Sequence, residues 1–156
     1  MKIKIVSGGQ TGVDRAALDA AISAGLPYGG FIPKGRLSED GTVPLKYQMT
    51  ETESLEYAFR TKQNVIHSDA TLILSYLPMS GGTQLTNEFC HRYRKEHLFV
   101  DLAAPNLENQ KKIVEWTKKI KPSVLNIAGP RESKYPGIYD NTQKLLERVF
   151  FELDDR

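Results

Sequence analysis

Five short aliphatic runs separated by helical patterns predict an α/β fold, a parallel sheet with helices on both faces. The runs show no clean alternation of polar and apolar residues, which suits strands covered on both sides. Between them lie stretches with apolar residues near every 3.6 positions, and strands alternating with helices build βαβ units. The chain has 156 residues, room for one sizeable core. It is read as one domain over residues 1–156.

The first strand is read at residues 3–7 and runs into the turn Ser7-Gly8-Gly9-Gln10-Thr11-Gly12. The helix that follows, over 13–25, aligns Val13, Ala17, Ala20 and Ala21, and Gly25-Leu26-Pro27 stops it. Thr11 is placed to cap this helix, with Asp14 completing a capping box. Residues 28–32 form a weaker second strand, just before Pro33. One long loop follows over 33–44, charged and turn-rich, and long ordered loops are often functional. Lys34 and Arg36 in this loop could close over an anion, against the plainer reading of a solvated loop.

Thr50-Glu51-Thr52-Glu53 reads as a capping box opening a helix that runs to about Ile66. Arg60 and Asn64 share a face of it at i, i+4 and are read as structural support. The third strand (71–75) leads to the turn Ser80-Gly81-Gly82-Thr83 and a helix over 83–95. The fourth strand (97–102) precedes a helix capped by Asn106, running to Ile120 and ended by Pro122. The fifth strand (124–128) leads to Ala128-Gly129-Pro130-Arg131, and a helix from about Tyr139 through Phe150 closes the chain.

Composition narrows the function classes. Apolar residues are 40% and charged ones 26% of the chain, which excludes disorder and fibrous repeats. The net charge of +2 comes from 21 basic and 19 acidic residues, so nucleic-acid or membrane binding is not expected. The start of the chain alternates lysine with aliphatics and has no signal-peptide core. The single cysteine, Cys90, excludes an intramolecular disulfide framework and suggests a reducing cytoplasm; it is read as a buried small residue. His67, His91 and His97 show no metal-ligand spacing, so no protein-bound metal is expected.

The chemistry is expected where three strands feed glycine-rich turns. Free backbone N–H groups at a helix start attract anions, and in a parallel sheet these turns share the carboxyl edge where ligands bind. The candidate ligand-binding residues are Gly8, Gly9, Gln10, Thr11, Gly81, Gly82, Thr83 and Arg131, with Lys34 and Arg36 behind them. Neither G-x-G-x-x-G nor a G-K-[ST] phosphate loop is present. Glu88 is expected to face the pocket mouth, where a carboxylate suits general acid or base work or a ribose hydroxyl. The competing reading is a helix-face glutamate.

The stretches S-G-G-Q-T-G-V-D-R-A-A-L-D-A-A, P-K-G-R-L-S-E-D-G, R-T-K-Q-N-V, S-D-A-T-L-I-L-S and S-G-G-T-Q-L-T together resemble the "putative molybdenum carrier" family, within the SLOG group. The resemblance spans nearly the whole chain and implies a three-layer Rossmann-like fold and a homo-oligomer. It implies a binder or carrier of a phosphorylated, nucleotide-like ligand, with molybdenum cofactor or a nucleotide as the bound species. The group also contains cytokinin-activating phosphoribohydrolases marked by P-G-G-x-G-T-x-x-E, to which Gly81, Gly82 and Glu88 are similar. Ser80, Gln84 and Leu85 depart from that mark. The alternative function is therefore N-glycosidic cleavage of a nucleoside monophosphate, with Glu88 as acid/base. DNA-processing proteins of the group carry S-G-x-A-x-G-I-D, similar to Ser7 to Asp14, but the balanced charge does not support DNA binding here. The resemblance further implies circular permutation, with the fifth strand inserted between the first and third. The order becomes 2-1-5-3-4, in preference to an unpermuted 2-1-3-4-5 that leaves the Arg131 turn two strands away.

Overall fold

The computed structural model describes residues 2–154. In chain order the elements are β1 (Lys4–Val6), α1 (Val13–Ser23), β2 (Tyr28–Gly29) and β3 (Phe31–Ile32). A 3-10 turn (Lys34–Arg36), β4 (Leu37–Ser38), β5 (Gly41–Thr42), β6 (Thr50–Glu51) and α2 (Tyr57–Ile66) follow. The remainder is β7 (Ala70–Ser75), α3 (Gly81–Arg92), β8 (Glu96–Asp101), α4 (Asn106–Ile120), β9 (Val124–Ala128) and α5 (Ile138–Leu153). The main sheet has the order β2-β1-β9-β7-β8 with every pair parallel, which is the expected 2-1-5-3-4 arrangement.

Strand alternation sorts the side chains into two layers. Leu72 and Leu74 of β7 and Leu125 and Ile127 of β9 join Ile5 and the apolar faces of α1, α4 and α5 in the larger core. The intervening residues turn to the opposite face, where Val65, Phe89 and Cys90 pack α2 against α3. On that second face Asn126 of β9 is buried, and its amide donates to Thr71 Oγ1 at 3.3 Å. No helix among the described residues is long and apolar enough to cross a membrane.

Several local expectations change. The second strand divides at Gly30: Tyr28–Gly29 pairs with β1, while Phe31–Ile32 pairs with β6. Gly30 (φ 129°) passes so close to β1 that a Cβ there would lie 2.1 Å from the Ser7 carbonyl oxygen. Thr50–Glu53 does not open a helix, because the N–H groups of Thr50 and Thr52 donate to Gly30 and Ile32 carbonyls instead. The helix begins only at Tyr57. Residues 33–44 form a 3-10 turn and the β4–β5 hairpin, anchored by a small core of Leu18, Ile32, Val43 and Tyr47.

The caps also differ. Gly12, not Thr11, occupies the N-cap of α1, and no side chain bonds there. Asn106 is the first residue of α4, and its side-chain amide donates to Asn141 Oδ1 at 3.0 Å.

Insertion of β9 leaves little room at the carboxyl edge. A Cβ on Gly129 would lie 2.2 Å from the Leu74 carbonyl oxygen and 2.6 Å from Val13 Cγ2. Overpacking at such a site costs about 1–3 kcal/mol. Gly129→Ala is expected to lower unfolding stability by about that amount, read from urea denaturation. A change under about 0.5 kcal/mol, the usual effect of an unconstrained surface site, would show that the edge can spread.

Candidate functional site

Because β1, β9 and β7 are neighbours and parallel, the turns that follow them meet at one edge of the sheet. Between these turns and α2 lies a cavity of about 260 Å³. The first turn contributes Gly8, Gln10 and Asp14, the second Ser80 to Thr83, and the third Ala128 to Arg131 with Lys134. The helices α2 and α3 close it with Tyr57, Arg60, Asn64, Leu85 and Thr86, and Asn126 rises from β9.

Arg60 is the buried cation of the site. Its Nη1 donates to the Gly8 carbonyl at 2.7 Å and lies 3.5 Å from Asp14 Oδ2, while Nε donates to the Tyr57 carbonyl at 3.3 Å. Gly8 is required for this: a Cβ there would fall 1.8 Å from Nη1. Among the described residues Nη2 has no protein partner, so Arg60 keeps donor capacity for the cavity it lines. Burial lowers the guanidinium's proton affinity, and Asp14 offsets that shift.

Asp14 answers the same environment in the opposite sense. Burial pushes its carboxyl up to about 6, against the pull of Arg60 and of the Gln10 N–H, which donates to Oδ2 at 3.2 Å. Asp14 therefore does not complete a helix-capping box with Thr11; it holds the first turn and Arg60 together.

The second turn presents backbone amides. Gly81, Gly82 and Thr83 begin α3, where no intrahelical acceptor exists, and no side chain caps them. Gly82 has ordinary φ, and a Cβ on it would meet no protein atom within 4 Å. Protein packing thus gives no reason for glycine at that position, whereas close approach of a ligand to the backbone does. Thr86 is buried beneath, its Oγ1 donating to the Gly82 carbonyl at 2.9 Å.

The third turn is locked to the first. Val13 N–H donates to the Pro130 carbonyl at 3.2 Å, and Glu132 N–H donates to Thr11 Oγ1 at 3.1 Å. The Glu132 carboxylate accepts from Gly137 N–H (2.6 Å) and Tyr139 N–H (2.9 Å), fixing the start of α5. Lys134 Nζ contacts Ser80 Oγ, bridging the third and second turns. The charged lining is therefore Arg60, Arg131 and Lys134 against Asp14, a net positive cavity.

Of the expected residues, Gly8, Gln10, Gly81, Gly82, Thr83 and Arg131 come together on this cavity. Gly9 and Thr11 lie behind it: Gly9 turns at φ 72° against Ile32 and Val43, and Thr11 staples Glu132 and Glu39. Lys34 and Arg36 are away from the lining. Arg36 is committed to the carbonyls of Val43, Pro44 and Tyr47, so it braces the loop. Glu88 is exposed on α3 and does not line the cavity. It stands six positions beyond Gly82, about 600° of helix, which carries it about 120° off the cavity face.

The reading of Arg60 and Asn64 as support is met in part. Asn64 exchanges two hydrogen bonds with the Phe31 backbone at 2.8 and 3.0 Å, yet both residues also line the cavity. Tyr57, Thr86, Asn126 and Lys134 were not singled out by the sequence as ligand-binding. The one legible signal was Asn126, a buried polar residue interrupting the aliphatic run V-L-N-I-A.

Three comparisons bear on this geometry. The model of the circularly permutated YpsA SLOG family matches residues 5–150. The chain is similar to a crystal structure described as a "putative molybdenum carrier protein" from Syntrophus aciditrophicus SB. The identity is 48%, with 95% of this chain and 94% of that chain covered and a TM-score of 0.92. None of the curated proteins matches.

The Asp14 shift makes a signed prediction. A carboxyl whose folded pKa exceeds its unfolded value of about 3.9 loses stability as pH rises between the two. The window here is about 4 to about 6. The Asp14→Asn variant is expected to gain on the wild type across that window by up to about 3 kcal/mol, whatever its constant offset. Urea unfolding at pH 4, 5, 6 and 7 checks this; parallel curves would mean an unshifted carboxyl.

Proposed function

The chain belongs to the circularly permutated YpsA SLOG family, and from that premise we propose that it binds or carries a phosphorylated, nucleotide-like ligand. The observation that carries the reading is convergence. Unpaired amides of Gly81 to Thr83, the buried Arg60 and the mouth residues Arg131 and Lys134 all face one small cavity. Charge-assisted hydrogen bonds from such donors are the strong ones, and a phosphate has oxygens enough for all of them. The volume, about 260 Å³, is below the usual range of about 300–1,000 Å³ for drug-sized ligands. The anionic end of the ligand is then enclosed while the rest reaches the surface.

Molybdenum cofactor is a candidate within that class, since the similar crystal structure is described as a "putative molybdenum carrier protein". Among the described residues no group of three or more His, Cys, Asp and Glu could hold a metal ion. The proposal therefore places recognition on the organic phosphate and not on the metal. Cleavage of an N-glycosidic bond with Glu88 as acid/base is the weaker reading. Glu88 is off the cavity, and the lining carboxylate, Asp14, is engaged with Arg60 and Gln10.

We further propose self-association through the outer face of α4 and α5. Leu107 and Phe151 are 70% and 83% exposed in one groove there. Lys144, Arg148, Glu147 and Glu152 flank them. Balanced charges around an apolar centre make the face complementary to a second copy of itself across a twofold axis.

Two outcomes are expected. AMP titrated calorimetrically into the wild type binds; Arg131→Ala weakens it about tenfold or more, the worth of one charge-assisted hydrogen bond, and Gly82→Ala does so to a similar degree by setting a methyl where the phosphate would approach the backbone. Gly82→Ala does so with unfolding stability unchanged or raised, since its Cβ meets no protein atom. Full binding by both variants would overturn the site, and release of free adenine would restore the hydrolase. Separately, sedimentation velocity should show a wild-type dimer that Phe151→Glu converts to monomer with its circular dichroism intact. A monomeric wild type would reject the interface.

A further inference from the structure

The three turns supply amides and the cations Arg131 and Lys134 to the cavity lining. The α2 and α3 side supplies Arg60 and the polar Thr61, Asn64 and Thr86, and with them the ring of Tyr57 and the apolar Ala58 and Leu85. Tyr57 is the first residue of α2, and its ring belongs to none of the apolar clusters of the fold. It is 38% exposed, and among the described residues its hydroxyl has no hydrogen-bond partner. The ring nevertheless has a set orientation. The Arg60 guanidinium carbon lies 5.3 Å from its centroid, and Arg60 is itself fixed by Gly8, Asp14 and the Tyr57 carbonyl.

A cation over one face draws π density toward itself and depletes the other face. The depleted face repels the π cloud of a second ring less, and so favours an offset stack. A phosphate with its sugar would occupy the cavity of about 260 Å³ beside it, and a ring attached to them would then lie against Tyr57. We infer that Tyr57 is the platform on which a planar heteroaromatic ring of the ligand stacks, with Leu85 of α3 closing the apolar side. This rests on the anion-site reading above and adds the specificity that site lacks, because phosphate donors alone cannot tell a nucleotide from a sugar phosphate. Arg60 then serves both ends of the ligand, as phosphate donor and as the brace behind the stacking ring.

The test compares AMP with ribose 5-phosphate by calorimetry on the wild type, Tyr57→Ala and Tyr57→Phe. The wild type is expected to bind AMP about tenfold more tightly than ribose 5-phosphate, as one stacked base provides. Tyr57→Ala should bring the two affinities together by weakening AMP alone, and Tyr57→Phe should keep the preference. A preference that survives in Tyr57→Ala, equal loss of both ligands in that variant, or no preference in the wild type overturns the assignment and leaves the anion site standing. Failure of both ligands to bind the wild type rejects the anion site and the platform together.

Discussion

Insertion of the last strand between the first and the β7 strand is the constraint on which the site depends. It sets three βα turns side by side, and it is possible only because side chains are missing where backbones meet. A Cβ on Gly12 would lie 2.4 Å from the Pro130 carbonyl oxygen, and one on Gly129 would lie 2.2 Å from that of Leu74. These two glycines are required by the fold, whereas a Cβ on Gly82 would meet no protein atom within 4 Å, so packing does not require glycine there. Glycine-rich turns thus combine residues of opposite purpose, and only the surroundings of each separate them.

The second dependence is electrostatic. A guanidinium as buried as that of Arg60 is costly unless its donors are satisfied, and breaking a buried pair is far more damaging than never having it. Gly8, Asp14 and Tyr57 satisfy part of Arg60 and fix α2 against the first turn. The remaining donor capacity is a pre-organised charge in a partly desolvated cavity, where it attracts an anion more strongly than a lysine or arginine in open solvent. The raised proton affinity of Asp14 follows from the same burial.

The long loop works as a strut. Arg15 grips Asp40 with Nη1 and Nη2 at 2.5 and 2.8 Å and holds that carboxyl well below the usual range. Glu39 accepts from Ser133 and from Thr11, and its N–H donates to Gln10 Oε1 at 2.8 Å. Behind it, Tyr47 and Tyr139 both donate to Asp19, tying the loop and α5 to α1. Glu39 thus keeps the first and third turns in register, while Arg36, read as a cover over an anion, is spent on bracing the loop itself.

Periodicity and turn chemistry act over a few residues, so they could be read directly. The five sheet strands, the span Asn106–Ile120 of α4 and the three glycine-rich turns follow from local pattern, and the inserted order of the fifth strand from resemblance. The Thr50–Glu53 stretch was misread because its capping pattern is local, whereas the carbonyls of Gly30 and Ile32 that claim its N–H groups are distant in sequence. Glu88 shows the reach of a motif without its helical phase, and Arg36 shows a cation whose role was set by three carbonyls no spacing reveals. By itself the sequence determined the fold class and where along the chain the three glycine-rich turns would form, because both depend on short-range pattern. The tertiary structure alone decided which of the site's cations, carboxylates and rings share one cavity, because that depends on which face of each element the packing turns inward.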